Sequence, residues 1–324
     1  METAVATDVS KARPDHARRS GRADRAFQWL TLGMALSIFA LIFLTGYELA
    51  QGSRLAVQKF GWHFLVDRDW DPVNEQFGAL PFIFGTLVSS LIGLVIAVPL
   101  SIATAVYLTE LAPRWIRQPL TLFIELLSAV PSVILGLWGI FVMVPWLRNH
   151  VFPLLKSTLG FLPLFQGPIY GVSMLAGGII IAIMIIPIIT SVSREILRSV
   201  PGLQREAAYA LGATHWEVTR IAVLSYARKG LFGAVILGLG RALGETMAVT
   251  MVIGNRPEIA TSLFAPGYTL ASVIANEFSE ASNGVYLQAL FEIGLVLLAV
   301  TVAVNAVAQL ILKTMGGPGV KPQN

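Results

Sequence analysis

Long apolar runs separated by polar stretches set the pattern of this chain. Six of them stand out, at 29–50, 80–108, 119–146, 170–193, 230–254 and 284–312. No charged residue lies between Glu75 and Glu110, between Arg148 and Lys156, or between Lys156 and Arg194. A helix crosses a bilayer with about 20 apolar residues, and a lone span in lipid must satisfy its own backbone hydrogen bonds. The runs therefore predict an all-α, polytopic integral membrane protein of about six transmembrane helices. The alternating segments of about 10 residues that mark a membrane β-barrel are missing.

Composition agrees. Of the 324 residues 55% are hydrophobic and only 13% charged, against about a quarter charged in soluble domains. Residues 1–28 are polar and carry Lys11, Arg13, Arg18, Arg19, Arg22 and Arg25. The run behind them is longer than a signal-peptide core and has no small-residue cleavage site. It reads as a retained first helix behind a disordered basic cytoplasmic tail. Residues 29–315 then form one transmembrane domain, with 316–324 as a C-terminal tail. With the N-terminus inside, inner segments hold sixteen Lys and Arg and outer loops six, which predicts that both termini are cytoplasmic.

Several chemistries are excluded. There is no cysteine, and His16, His63, His150 and His215 are scattered, so no thiol site or metal-ligand spacing exists. No Gly-Lys dipeptide occurs, which rules out a Walker A phosphate loop. No catalytic cluster of histidines and carboxylates forms within the spans, and nothing points to nucleic acid. Four ionisable residues fall inside apolar runs: Glu125, Arg241, Glu245 and Glu292. Charge there costs about 2.5–3.5 kcal/mol on insertion scales. At about 1.5 Å per residue, Arg241 and Glu292 lie roughly 16 and 12 Å deep from opposite sides, near the midplane, with Glu245 one turn beyond Arg241. Two readings fit these residues: a structural ion pair, or a substrate pathway. Gly240, Gly244 and Ala248 form a row that would let a helix approach closely. Pro99, Pro131 and Pro187 interrupt three spans, and Pro131-Ser132 couples a break to a hydroxyl. Ser132 is a pathway candidate or a packing serine; Glu125 is near enough to the inner surface to snorkel.

The segment 194–229 is the most informative connector. Pro201-Gly202 restarts a helix, Leu203–Leu211 continues it, and Gly212 stops it as a C′ glycine does. Thr214 and Glu217 have capping-box spacing for the next helix. Taken alone, this is either an ordinary amphipathic connector or a docking element.

Its wording narrows the choice. Glu206-Ala207-Ala208-Tyr209-Ala210-Leu211-Gly212 resembles the EAA loop of prokaryotic ABC importer permeases. The stretches 101–110, 130–139 and 240–246, and Leu263-Phe264-Ala265-Pro266-Gly267-Tyr268, resemble the phosphate-specific permeases of that family. They are closer to the PstC-like subunit than to its PstA-like partner. The resemblance covers residues 30–312 and departs at Ala222-Val223-Leu224-Ser225, where the family loop closes with proline. It implies a type I importer fold and an ATP-driven inorganic phosphate importer whose membrane subunit forms half the pathway. Glu206, Ala207, Ala208 and Gly212 would couple to the ATPase, and Arg241, Glu245, Glu292 and Ser132 would line the path. The implied partners are a second, PstA-like permease, a PstB-like ATPase dimer, an external PstS-like phosphate-binding protein and membrane lipid. The chain itself would bind no cofactor, because ATP and Mg2+ belong to the ATPase. A permease for sulfate or molybdate, or an ATP-independent transporter, is the alternative.

Overall fold

A computed structural model of the chain describes residues 15–281 and 284–314. Six helices among them are long and apolar enough to cross a membrane: Ala23–Gly52, Leu80–Leu111, Ser132–Leu159, Met174–Arg198, His215–Leu243 and Gly284–Thr314, the first to sixth spans. The chain divides into two compact units, Met1–Gln51 and Gly52–Asn324. In the first, the helix begins at Asp15, inside the segment expected to be disordered. Alanine and arginine, both good helix formers, extend the span backwards. Residues 1–14, and the C-terminal tail at 316–324, lie outside the described residues.

In the second unit the fourth span is the centre, packed between the second and fifth. Glycines make that contact close. A Cβ on Gly178 would stand 2.4 Å from Ile92 Cγ2, and one on Gly93 would stand 2.6 Å from Ile181 Cγ2. Each helix thus seats an isoleucine of the other over a glycine. Without a hydrophobic drive between helices in lipid, such contact is what holds them together. Pro99 and Pro187 lie inside unbroken helices.

Two spans differ from the sequence pattern. Where one run at 119–146 is expected, the chain breaks at Val130 and Pro131, both extended. Proline cannot continue the hydrogen-bond ladder and pushes its predecessor out of the helical region. The result is a separate amphipathic helix, Arg114–Ala129, followed by the third span. The run 230–254 is also divided. The fifth span starts earlier, at His215, and ends at Leu243, and a short helix, Met247–Ile253, follows the break.

One end of the unit carries the connector 199–214; call it the connector end. The opposite end holds a two-residue hairpin, β1 (Trp70–Asp71) against β2 (Gln76–Phe77). Its turn is built by Asp71, which accepts from the side chain of Asn74 (2.6 Å) and the N–H groups of Val73 and Asn74. The Asn74 side chain above all holds the Asp71 carboxyl below the usual range. At the same end Glu277 accepts from Trp70 Nε1 (2.8 Å), Tyr286 (2.8 Å) and Tyr268 (3.2 Å), tying the hairpin, the 254–281 segment and the sixth span together. Burial pushes the Tyr268 hydroxyl well above the ordinary tyrosine value.

Candidate functional site

Two regions hold the residues singled out in the sequence. The first is the connector. A helix forms at Gly202–Ala210 behind Pro201. Gly212 then takes φ +82°, and its N–H bonds the Tyr209 carbonyl at 2.9 Å. The capping box forms as its spacing predicts. Thr214 Oγ1 accepts from Glu217 N–H, and Glu217 Oε2 accepts from Thr214 N–H at 2.8 Å. No residue of the connector helix is buried: Glu206 and Ala207 are exposed and Ala208 is half-buried. Leu203, Leu211 and Trp216 are 76%, 89% and 64% exposed around it, an apolar rim on a polar surface.

The clamp behind this helix was not read from the sequence. Arg205 donates to Glu110 Oε1 (3.0 Å) and Oε2 (3.4 Å), and to the carbonyls of Val200 (2.7 Å) and Leu197 (3.0 Å). Glu110 sits at the end of the second span with its side chain only 8% exposed. One planar guanidinium therefore ties the connector helix to two spans. Opposite charges at two helix ends that share a face are the only signal the sequence carries for it.

The second region is the divided fifth span. Arg241 lies in its last turn, where the helix carbonyls favour a cation. Gly244 ends the helix, and Glu245 lies beyond the break rather than one turn along the same helix. The two side chains still meet, Arg241 Nη2 to Glu245 Oε2 at 3.5 Å. Glu245 Oε1 accepts from Ala248 N–H at 3.3 Å and so caps the next helix. The carboxylate is 5% exposed and the guanidinium 52%. Arg241 therefore keeps free N–H groups. They face a cavity of about 570 Å³ that Gly240, Leu237 and Asn305 also line.

Packing fixes this break. The third span runs beside Met247–Ile253 in the same direction, and Gly136 makes the approach possible. A Cβ there would stand 2.6 Å from Met251 Sδ and 3.0 Å from Ala248 Cα. Ser132, half-buried at the start of the third span, therefore starts its helix at about the level where the second helix starts after Glu245. Among the described residues no helix packs on Gly240 or Gly244. A Cβ on Gly240 would meet nothing within 4 Å, and one on Gly244 would meet only the Gly240 carbonyl. Ala248 is turned by the break onto Gly136 instead.

Glu292 is not part of this arrangement. It is 6% exposed, its Oε2 has no hydrogen-bond partner among the described residues, and its helix neighbours pack in a separate core with Leu270 and Val273. Glu125 meets Arg194 at 3.5 Å on the Arg114–Ala129 helix, while 56% exposed. Asn305, on the cavity wall, had not been singled out, because a lone amide in a span carries no pattern. No cluster of His, Asp and Glu suited to a metal occurs among the described residues.

Comparison with known proteins agrees with this architecture. The chain is 45% identical over 308 residues to the phosphate transport system permease protein PstC of Mesorhizobium japonicum, covering 94% of each. It is 46% identical to the protein of the same name from Haemophilus influenzae, covering 89% of this chain and 93% of that one. Its fold matches a bacterial ABC transporter involved in import of the acidic polysaccharide alginate, with a TM-score of 0.56 at 15% identity over 91% of this chain and 99% of that one. A family profile matches residues 97–316. By that match and these identities, the chain belongs to the binding-protein-dependent transport system inner membrane components, multi-pass permease subunits of prokaryotic ABC transporters.

Proposed function

We propose that this chain is the membrane-spanning subunit of an ATP-driven importer of inorganic phosphate. The observation that carries the reading is the 45% identity to a phosphate permease over 94% of both chains. The chain forms half of the pathway; a PstA-like permease forms the other half. A separate PstB-like ATPase, which uses ATP and Mg2+, docks on the connector helix, and an external PstS-like protein delivers phosphate. The absence of any Gly-Lys dipeptide supports placing ATP hydrolysis in a partner.

In the path, the exposed fork of Arg241 donates two hydrogen bonds to one oxyanion. Glu245 neutralises it at 3.5 Å through one oxygen, while its other oxygen stays on Ala248 N–H. Ser132 offers a hydroxyl from the adjoining helix start. Glu292, which makes no hydrogen bond or ion pair with either among the described residues, belongs to an earlier stage of the route. The discriminating experiment is uptake into vesicles. Phosphate uptake should need ATP and the ATPase, and phosphate should outcompete sulfate. Uptake without the ATPase, or equal competition by sulfate, would overturn the assignment.

A further inference from the structure

A second cationic site lies away from the divided fifth span. The Arg114–Ala129 helix carries two faces. Arg114, Arg117, Gln118, Thr121 and Glu125 follow helical spacing along one side, and Trp115, Leu122, Phe123 and Leu126 along the other. The apolar side is unburied, with Trp115 at 76% and Phe123 at 66% exposure. The polar side turns toward the connector end of the fourth span, and Arg194 Nη1 donates to Thr121 Oγ1 at 2.6 Å. Between them lies a cleft of about 420 Å³ whose charged lining is Arg114, Arg117, Arg194, Arg198 and Glu125.

The cleft is short of negative charge. Arg194 shares Glu125 (3.5 Å) and Glu195 (3.4 Å), and Arg198 reaches the same Glu195 at 3.5 Å. Among the described residues Arg117 is held only by the carbonyls of Thr109 (3.3 Å) and Ala112 (3.0 Å). Arg114 is exposed and makes no ion pair among the described residues. Four guanidinium groups thus face two carboxylates, both more than half exposed and both at long range. Acceptors run short as well: among the described residues both bonds of Arg117 come from Nη2, which leaves its Nη1 without a hydrogen-bond partner.

We propose that this cleft binds a phosphate group, held by Arg114, Arg198 and Arg117 Nη1, with Arg194 adding its charge. Guanidinium forks match phosphate oxygens in pairs. Two sources present that chemistry: the headgroup of an anionic phospholipid, or free inorganic phosphate. The exposed apolar side of the helix favours the lipid. An amphipathic helix of this kind lies at a membrane surface, and basic pockets between spans on the inner side hold anionic headgroups. That placement uses the orientation of the function proposed above; the anion site itself does not depend on it.

The test uses the complex as isolated, in nanodiscs. One arm adds phosphatidylglycerol to a phosphatidylcholine bilayer and counts retained lipid by native mass spectrometry. The other arm keeps phosphatidylcholine alone and reads protection against heat by inorganic phosphate. Near an anionic surface each basic residue contributes about 1 kcal/mol, so Arg114→Gln with Arg198→Gln should lower binding roughly thirtyfold, and Arg114→Gln alone roughly fivefold. Replacing both arginines by lysine should lower it less. Loss confined to the first arm assigns the headgroup, and loss confined to the second assigns free phosphate. Equal binding by the wild type and the double variant in both arms would overturn the site. If the double variant fails to assemble, Arg114→Gln decides alone, because that side chain is exposed, and unchanged binding would again overturn it. Lipid retention should be unchanged in Arg241→Gln, and the phosphate arm is read in that same background, which separates this site from the transport path.

Discussion

The connector helix and the divided fifth span are built on opposite principles. Gly202–Ala210 owes its shape to neighbours in sequence: Pro201 before it, Gly212 at φ +82° after it, and a capping box beyond. It buries nothing, and the Arg205–Glu110 clamp anchors it to the spans. The break after Leu243 owes its shape to distant packing, with Gly136 against Ala248 and Met251. A surface element of this kind keeps its own backbone satisfied and leaves its side chains free for a partner. A charged break within the membrane has no water to lean on, so another helix must hold it.

The largest expected effect lies at the break. Arg241→Gln removes a charge-assisted donor pair while leaving the packing intact, since the guanidinium is half exposed. Two such bonds at about 1.5–3 kcal/mol each predict a fall in uptake of a hundredfold or more with assembly unchanged. Arg241→Lys should cost about tenfold, keeping charge without the fork. Normal uptake by an assembled Arg241→Gln complex would reduce the pair to a structural role.

Next is the turn. Gly212→Val places a β-branched residue at φ +82°, where even a simple side chain costs about 1–2 kcal/mol. The helix should tilt off its dock, so uptake and co-purification with the ATPase should fall at least tenfold while membrane insertion persists. Ala208→Trp, on the half-buried side of the same helix, should act alike. Full transport by either variant would remove the coupling role.

The clamp gives a graded effect. Arg205→Met leaves the buried Glu110 carboxylate without its cation, whereas Glu110→Gln leaves Arg205 on the carbonyls of Leu197 and Val200. The arginine variant should therefore be worse. A double-mutant cycle on uptake should return a coupling of about 1 kcal/mol; additive losses would show that the clamp does not link the connector to the second span.

How much of this was legible in the sequence follows the same division. The connector was readable residue by residue, because Gly212, Thr214 and Glu217 act within one turn of each other. The six apolar helices were readable too, apart from their borders. Pro131 marked a break correctly, but its consequence, a separate Arg114–Ala129 helix, depended on the polar face of that helix, through Thr121, finding Arg194 on the fourth span. The Gly240–Gly244–Ala248 row misled, because spacing assumes a continuous helix and the break at Gly244 removes it. Charge within an apolar run and similar depth group Glu292 with Arg241, and neither says which core the neighbouring side chains enter.

The smallest expected effect tests whether the break is a site or only a joint. Ser132 begins the third span behind Pro131, and the residue is half-buried. A packing serine usually bonds its own helix, as Ser128 does to the Glu125 carbonyl at 2.7 Å. A serine in the first turn has its own carbonyl partner missing, so its hydroxyl is available to something else. If that is the passing oxyanion, Ser132→Ala should raise the apparent KM for phosphate about fivefold, the worth of one hydrogen bond near 1 kcal/mol, with unchanged heat stability and assembly. A packing role predicts the reverse, a lower melting temperature with KM unmoved. Measuring both on one preparation separates them. It also locates the path, because a change in KM at Ser132 together with the loss at Arg241 requires phosphate to pass between the two helix starts that Gly136 brings side by side.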